Sequence, residues 1–399
     1  MKKLLRFIWR FILYVFIVII GMLIMYYLLS PVYKFSGPVP FIGNKLYNPY
    51  QTIDSSNWKK CNFQVQSKAW LGITDGRKNT NELIDSIYTI LGFDHVATSD
   101  YQKINYFGKD NPAFIPTYEH GYNIFKTHQV CIDADKVLWV DLMFGQTLSM
   151  KQWVLDQLKE HSRLVILAHP LLRNGYSVDD MKYLTNYDGI EVLNNVRVSL
   201  KHWDAALSSG QVAYIIGNDD AHDVTNSNHV GRRFTMINSP NINRESIMMN
   251  LEKGAAYGMD FIRHDDEPML TKVERSKNIP KLQSAILNYD TLTVKVDTIA
   301  SEIRFIGNNG IVKKVIPNNN VATYIISNDD PYLRTEITFY DNSVMYLNPV
   351  IRYSGESPQT LKTAEIDKTA TMRLRIIYFL IALTLAYLAA RLIKARRKN

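Results

Sequence analysis

Three short apolar runs between Leu164 and His222 constrain this chain more than any other stretch. Leu164-Val165-Ile166-Leu167-Ala168 ends in His169-Pro170. Gly189-Ile190-Glu191-Val192-Leu193 follows, and Val212-Ala213-Tyr214-Ile215-Ile216 runs into Gly217-Asn218-Asp219-Asp220-Ala221-His222. Each run has the length and composition of a buried strand. Each carries polar, ligand-type residues within it or at its C-terminal end. The spacing leaves room for helical connections, with Val178 to Leu184 expected as one. Strand, helix, strand with chemistry at the strand ends is the pattern of a parallel α/β sheet or barrel.

Ala168-His169-Pro170 and Asp220-Ala221-His222, in that order and with Gly-Ile-Glu between them, resemble the PHP (polymerase and histidinol phosphatase) family. The resemblance implies an α/β fold built on a distorted (β/α)7 barrel, with up to three metal ions at the strand ends. Pro116-Thr117-Tyr118-Glu119 resembles the family segment that supplies a bridging Glu. His128 resembles the next histidine ligand, with His120 a lower-ranked competitor. On this basis the metal ligands are Glu119, His128, His169, Asp220 and His222, and Asp75 in the Asp75-Gly76 turn is a further candidate.

The first strand departs from the family. Asn62 to Ser67 fits its frame, but Gln64 and Gln66 stand where a His-x-His pair belongs, and Tyr101 replaces the histidine after Asp100. A match without gaps from Asp75-Gly76 puts Lys68 and Trp70 at the pair instead, and restores no histidine. The Gln alignment is preferred because Asn62-Phe63 and Ser67 also fit. A Gln carbonyl is a neutral, weak oxygen ligand, far poorer for zinc than imidazole. Glu119, His128 and His169 are then the one complete ligand set. The expected cofactor is a divalent metal, zinc or manganese, as one ion rather than three. Three ligands and an open position is the count of a catalytic zinc site.

The ends have a different character. Phe11 to Leu29 is apolar and uncharged over about the length that crosses a bilayer, with Trp9, Tyr14, Tyr26, Tyr27 and Tyr33 at or near its ends. Met372 to Ile393 contains a second apolar segment, and five basic residues cluster in the last nine positions. Against a net charge of +8, residues 1–30 and 372–399 carry eleven positive charges and no acid, which leaves the middle at −3. The basic balance therefore belongs to the membrane-flanking ends, and no nucleic-acid partner is expected. The positive-inside rule puts both termini in the cytoplasm and the body outside, as a two-pass cell-membrane protein. Its expected partners are the lipid bilayer and a small-molecule ligand or substrate.

Between the ends, 31–60 reads as a linker, 61–275 as the PHP-like barrel and 281–355 as a small antiparallel, β-sandwich-like domain. The last has alternating strands and an Asn309-Gly310 hairpin signal. Its Tyr332-Leu333-Arg334-Thr335-Glu336 to Asn348-Pro349-Val350-Ile351 pattern is similar to the tail of the CehA/McbA-like branch of PHP proteins. Residues 356–371 read as a second linker before the last helix. Cys61 and Cys131 are expected on the first and third strands as buried free thiols. Two functions are open to such a chain: a membrane-anchored metal-dependent hydrolase of phosphoesters or related esters, or a catalytically inactive PHP-like barrel that binds a ligand or partner. Topology is testable at once. A reporter active only in the cytoplasm, fused after Tyr353 in a chain lacking the second helix, should be silent. A strong signal would reverse the orientation.

Overall fold

The computed structural model describes residues 2–74, 76 and 78–396. The described residues form a mixed α/β structure with seven α-helices. The body's strands, numbered from Trp58, are β1 (Trp58–Asn62), β2 (His95–Val96), β3 (Thr117–His120), β4 (Gln129–Ala134), β5 (Ser162–Leu167), β6 (Gly189–Asn194), β7 (Tyr214–Asn218), β8 (Arg233–Asn238) and β9 (Ala256–Asp260). β3 to β7 make a five-stranded sheet in chain order. The β3/β4 and β4/β5 pairs are antiparallel, and β5/β6 and β6/β7 are parallel. Parallel strands buried on both faces must be apolar throughout, which is why the three runs of the sequence are strands here. The connection at 178–184 is a single 3-10 turn, Asp180–Lys182, instead of the helix expected there. The Asp180 carboxylate accepts from the Ser177 amide and from Lys151, and so draws that segment into a capped turn.

The first strand ends earlier than its alternation implies. β1 pairs β8 and β2 only as far as Asn62. Beyond it the chain continues with one bridge, Val65–Ala221. A second lone bridge joins Tyr101 to Glu119. These two parallel bridges are where the two sheets meet, and neither sheet closes on itself.

The antiparallel strands that follow are β10 (Leu282–Asn288), β11 (Thr291–Ile306), β12 (Val312–Ile325), β13 (Tyr332–Phe339), β14 (Val344–Leu347) and β15 (Val350–Tyr353). They continue the body's sheet through the β9/β14 pair, in the order β2-β1-β8-β9-β14-β13-β11-β10. The junction is also tied by side chains. Asn348 accepts from the Ile215 amide and donates to the Gly254 and Ala256 carbonyls. Buried Arg334 grips Asp204 with two bonds, at 2.7 and 3.0 Å, and lies over the Trp203 ring. Breaking such a buried pair by removing one partner costs about 3–5 kcal/mol.

The terminal helices, Lys2–Leu29 and Lys368–Arg396, contain segments long and apolar enough to cross a membrane, and those segments are not buried in the body. Both leave from one place. Tyr33–Phe35 pairs Ala364–Ile366 just outside them, and the Val32 amide donates to Thr371 Oγ1. Both helices therefore depart from the same side of the body.

Cys61 lies on β1, and Cys131 on β4 instead of the expected third strand, because Thr117–His120 forms a strand of its own. Both are buried and free. Burial pushes the Cys131 thiol up to about 12 and raises that of Cys61. Since the thiolate is the reactive form, neither should label in the folded protein at neutral pH. Both should label on unfolding without reductant. A need for prior reduction would contradict this arrangement.

Candidate metal centre

The loops and strand ends near the two lone bridges bring the site together. Glu119 is on β3, His128 immediately precedes β4, His169 follows β5, and Asp220 follows β7. Glu119 is fully buried. Its Oε1 lies 2.6 Å from His128 Nδ1 and 3.3 Å from His169 Nε2. The ligand-type atoms of Glu119, His128 and His169 all lie within 4.8 Å of one another, the one such cluster of three among the described residues. The two imidazoles meet edge to face with ring centroids 5.3 Å apart.

The first-strand glutamines are in this site. Gln66 Nε2 donates to the other Glu119 oxygen at 2.6 Å and to the Ser99 carbonyl at 2.9 Å. Gln64 is also buried, and neither of its amide atoms has a hydrogen-bond partner. Lys68 and Trp70, the other candidates for the paired positions, are exposed. The Tyr101 ring packs edge-on against His128, with centroids 5.5 Å apart. Asp220 lies outside the cluster of three. Its Oδ2 accepts from Asn194, and its Oδ1 is 3.5 Å from His222 Nε2. His120 spends both ring nitrogens elsewhere, on Gln129 Oε1 and the Val140 carbonyl. Asp75 lies outside the described residues. Its neighbour Gly76 sits where a Cβ would come within 2.4 Å of the Gln66 and Ser67 carbonyl oxygens, so the turn is pressed against the first strand's end.

Glu191 is a buried member of the site absent from the sequence-derived ligand set. Its Oε2 accepts from the His169 amide at 2.8 Å and from Asn194, and its Oε1 accepts from Asn218. A signal existed: it is the lone charge in an apolar parallel strand, where an unpaired carboxylate is prohibitively costly. Its bond to the His169 amide helps hold a strained backbone. His169 has φ 29° and Asp220 has φ 49°, a left-handed region that non-glycine residues rarely occupy and that clusters at functional sites. Gly121, at φ 124°, leaves room for the His128 ring, which an added Cβ would approach to 2.6 Å.

The charges are unequal. Burial alone would raise the Glu119 carboxyl, but His128 and His169 outweigh it and hold the group below its usual range. His128 is lowered by burial, only partly offset by Glu119. His169 is opposed by the same burial, yet Glu119, Asp220 and Glu191 together raise it to about 9. The surroundings thus favour the ionised form of Glu119, the neutral form of His128 and the protonated form of His169.

Two imidazoles and one ionised carboxylate suit a borderline divalent ion such as zinc. The buried His128 Nε2 and His169 Nδ1 have no hydrogen-bond partner, so neither ring is fully committed to the surrounding structure. The residues present thus fit one ion at Glu119, His128 and His169.

No family model matches the chain, and no curated protein matches it. Among solved structures, it is similar to a two-domain protein containing a predicted PHP-like metal-dependent phosphoesterase from Bacteroides vulgatus. The identity is 12 %, the TM-score 0.40, and the match covers 81 % of this chain and all of that one. Likeness at this level bears on neither activity nor ligand.

His169→Ala should abolish tight metal binding. Outer partners of metal ligands are worth roughly 10–100-fold in affinity, so losing a direct ligand should exceed about 100-fold. Zinc titration of the purified full chain against a competing chelator measures it. Equal affinity in the variant would remove His169 from the site.

Proposed function

We propose that the chain is a membrane-anchored, metal-dependent hydrolase of phosphoesters or related esters, acting outside the cytoplasm. The convergence of Glu119, His128 and His169, with His128 lining an open pocket, carries this reading. The two lone bridges support taking β1 to β7 as an opened form of the seven-stranded PHP ring, and β10 to β15 as the CehA/McbA-like tail. A divalent ion bound there would supply Lewis acidity and a nucleophilic water near neutral pH.

The chain's own residues do the positioning. Glu119 supplies the buried negative charge that favours a cation. Glu191 and Asn194 hold the His169 and Asp220 turns in their strained conformations. The pocket side of His128 is open past Tyr101, toward Lys126 and Arg173, whose charges suit an anionic substrate.

One observation favours the second reading, an inactive ligand-binding module. Gln66 donates to the Glu119 oxygen that a second ion would need. The two readings separate in one experiment. The full chain, purified in detergent and loaded with zinc or manganese, should carry close to one equivalent and hydrolyse a soluble aryl phosphodiester. Gln64→His with Gln66→His should add a second equivalent and raise the rate, since a second cation stabilises charge that develops in the transition state. A chain without metal, unchanged by the double substitution, would sink the hydrolase reading. Metal without turnover would leave the binding module.

A further inference from the structure

The open pocket that His128 lines is linked to the end of the first apolar helix by a short run of contacts. It has a volume of about 660 Å³ and is lined by Trp70, Tyr101, Tyr122, Ile124, Lys126, Trp139 and Arg173 along with His128 itself. Tyr27, two residues from the end of the first helix, accepts a hydrogen bond from the Phe144 amide at 2.7 Å. Tyr26 packs near Trp153 with ring centroids 6.3 Å apart. The loop holding Phe144 is bound to the pocket loop. The Ile124 amide donates to the Met143 carbonyl, and Asn123 donates to the Leu142 and Phe144 carbonyls. From the end of a bilayer-length helix to the pocket wall is therefore a short run of direct contacts.

The pocket rim exposes several large apolar side chains. Trp70 and Trp139 meet edge to face at 6.1 Å and are both about half exposed. Leu71 is 99 % and Ile73 84 % exposed beside them, and Ile124, Phe125 and Phe144 are exposed as well. Exposed Trp and aliphatic side chains next to a membrane helix end are the composition of a membrane interface. Two cations stand inside this rim. Lys126 Nζ lies over the Tyr101 ring at 5.4 Å, and Arg173 donates to the Ile124 carbonyl at 3.0 Å. Neither forms an ion pair among the described residues.

We propose that this pocket receives the phosphate-bearing headgroup of an anionic phospholipid from the bilayer that holds the chain's own helices. Lys126 and Arg173 hold the phosphate, and the Trp70–Ile73 and Trp139–Phe144 segments meet the acyl boundary. The inference deepens the phosphoesterase reading by naming its substrate class, and depends on that reading only for turnover. Hydrolysis of such a diester adds one water across one P–O bond: hydroxide joins phosphorus and the proton goes to the departing alcohol oxygen. A peptide or a second copy of the chain could also cover an apolar rim, but neither calls for two cations in the pocket that His128 lines.

The test uses the full chain in neutral detergent, titrated with acyl-brominated phosphatidylglycerol or with diacylglycerol bearing the same brominated tails. Tryptophan emission should be quenched at about tenfold lower phosphatidylglycerol than diacylglycerol, because charge-assisted bonds to phosphate add to a shared apolar term. Lys126→Gln with Arg173→Gln should erase that difference. Trp70→Phe with Trp139→Phe should remove the selective quenching itself. All four side chains are at least partly exposed, so the variants should fold. Equal half-quenching concentrations, as for a rim that takes any apolar partner, or selectivity that survives loss of both cations, overturns the inference. If a soluble aryl phosphodiester is nevertheless hydrolysed by the metal-loaded chain, the phosphoesterase reading stands without the lipid. Selective quenching with no hydrolysis of either diester keeps the lipid site and sinks that reading.

Discussion

The buried carboxylate of Glu119 is the constraint around which the middle of this molecule is arranged. A carboxylate with no exposure is costly unless every oxygen is met by a donor or a cation. Here the donors come from three separate chain segments: Gln66 after β1, His128 immediately before β4, and His169 after β5. Meeting them fixes how the first strand's end, the antiparallel pair and the parallel strands sit together. The Tyr101–Glu119 bridge and the Gln66 bond lie at the same place, so one of the two lone bridges between the sheets coincides with the site. Architecture and chemistry share one cause.

A second layer follows from the first. His169 faces Glu119 from a backbone at φ 29°, and Glu191 helps secure that conformation through the His169 amide. Glu191 is itself buried and must be satisfied in turn, which Asn194 and Asn218 do. Asn194 also reaches Asp220, whose charge falls on His169. Networks of this kind are stable only when nearly every member is paired. The unpaired atoms gather around the metal-type cluster: both amide atoms of Gln64, Gln66 Oε1, His128 Nε2 and His169 Nδ1.

Much of this was legible in the sequence, for identifiable reasons. The apolar runs at 164–168, 189–193 and 212–216 could be only buried strands, and strands they are. Glu119, His128 and His169 were identifiable because each stands at the edge of such a run or in a segment with a family likeness, and the structure brings the three together. The 178–184 connection was not legible, because a helical apolar spacing there is overridden by the Asp180 carboxylate binding Ser177 and Lys151. Glu191 stands out as the lone charge of its strand, but its part in holding the His169 backbone was not legible, because backbone strain has no signature in composition. The continuity of the late β-strands with the body escaped for a similar reason. An alternating strand looks the same whether it closes a separate sandwich or extends an existing sheet, and only the β9/β14 pairing decides it.

The two apolar ends bear on the site as well as on location. Helices that leave the same side of a body fix one face toward whatever they enter. In this chain that face carries the Tyr27–Phe144 contact and, one loop away, the wall of the pocket over His128. Had the helices been mere tethers, the 33–35 and 364–366 strands would suffice to hold them, and the pocket could open in any direction. Instead Tyr26 and Tyr27 pack into the same core that supports the site's strands. On the proposed reading, a site tied to its own anchor would meet molecules confined to the membrane surface at far higher local concentration than molecules free in solution.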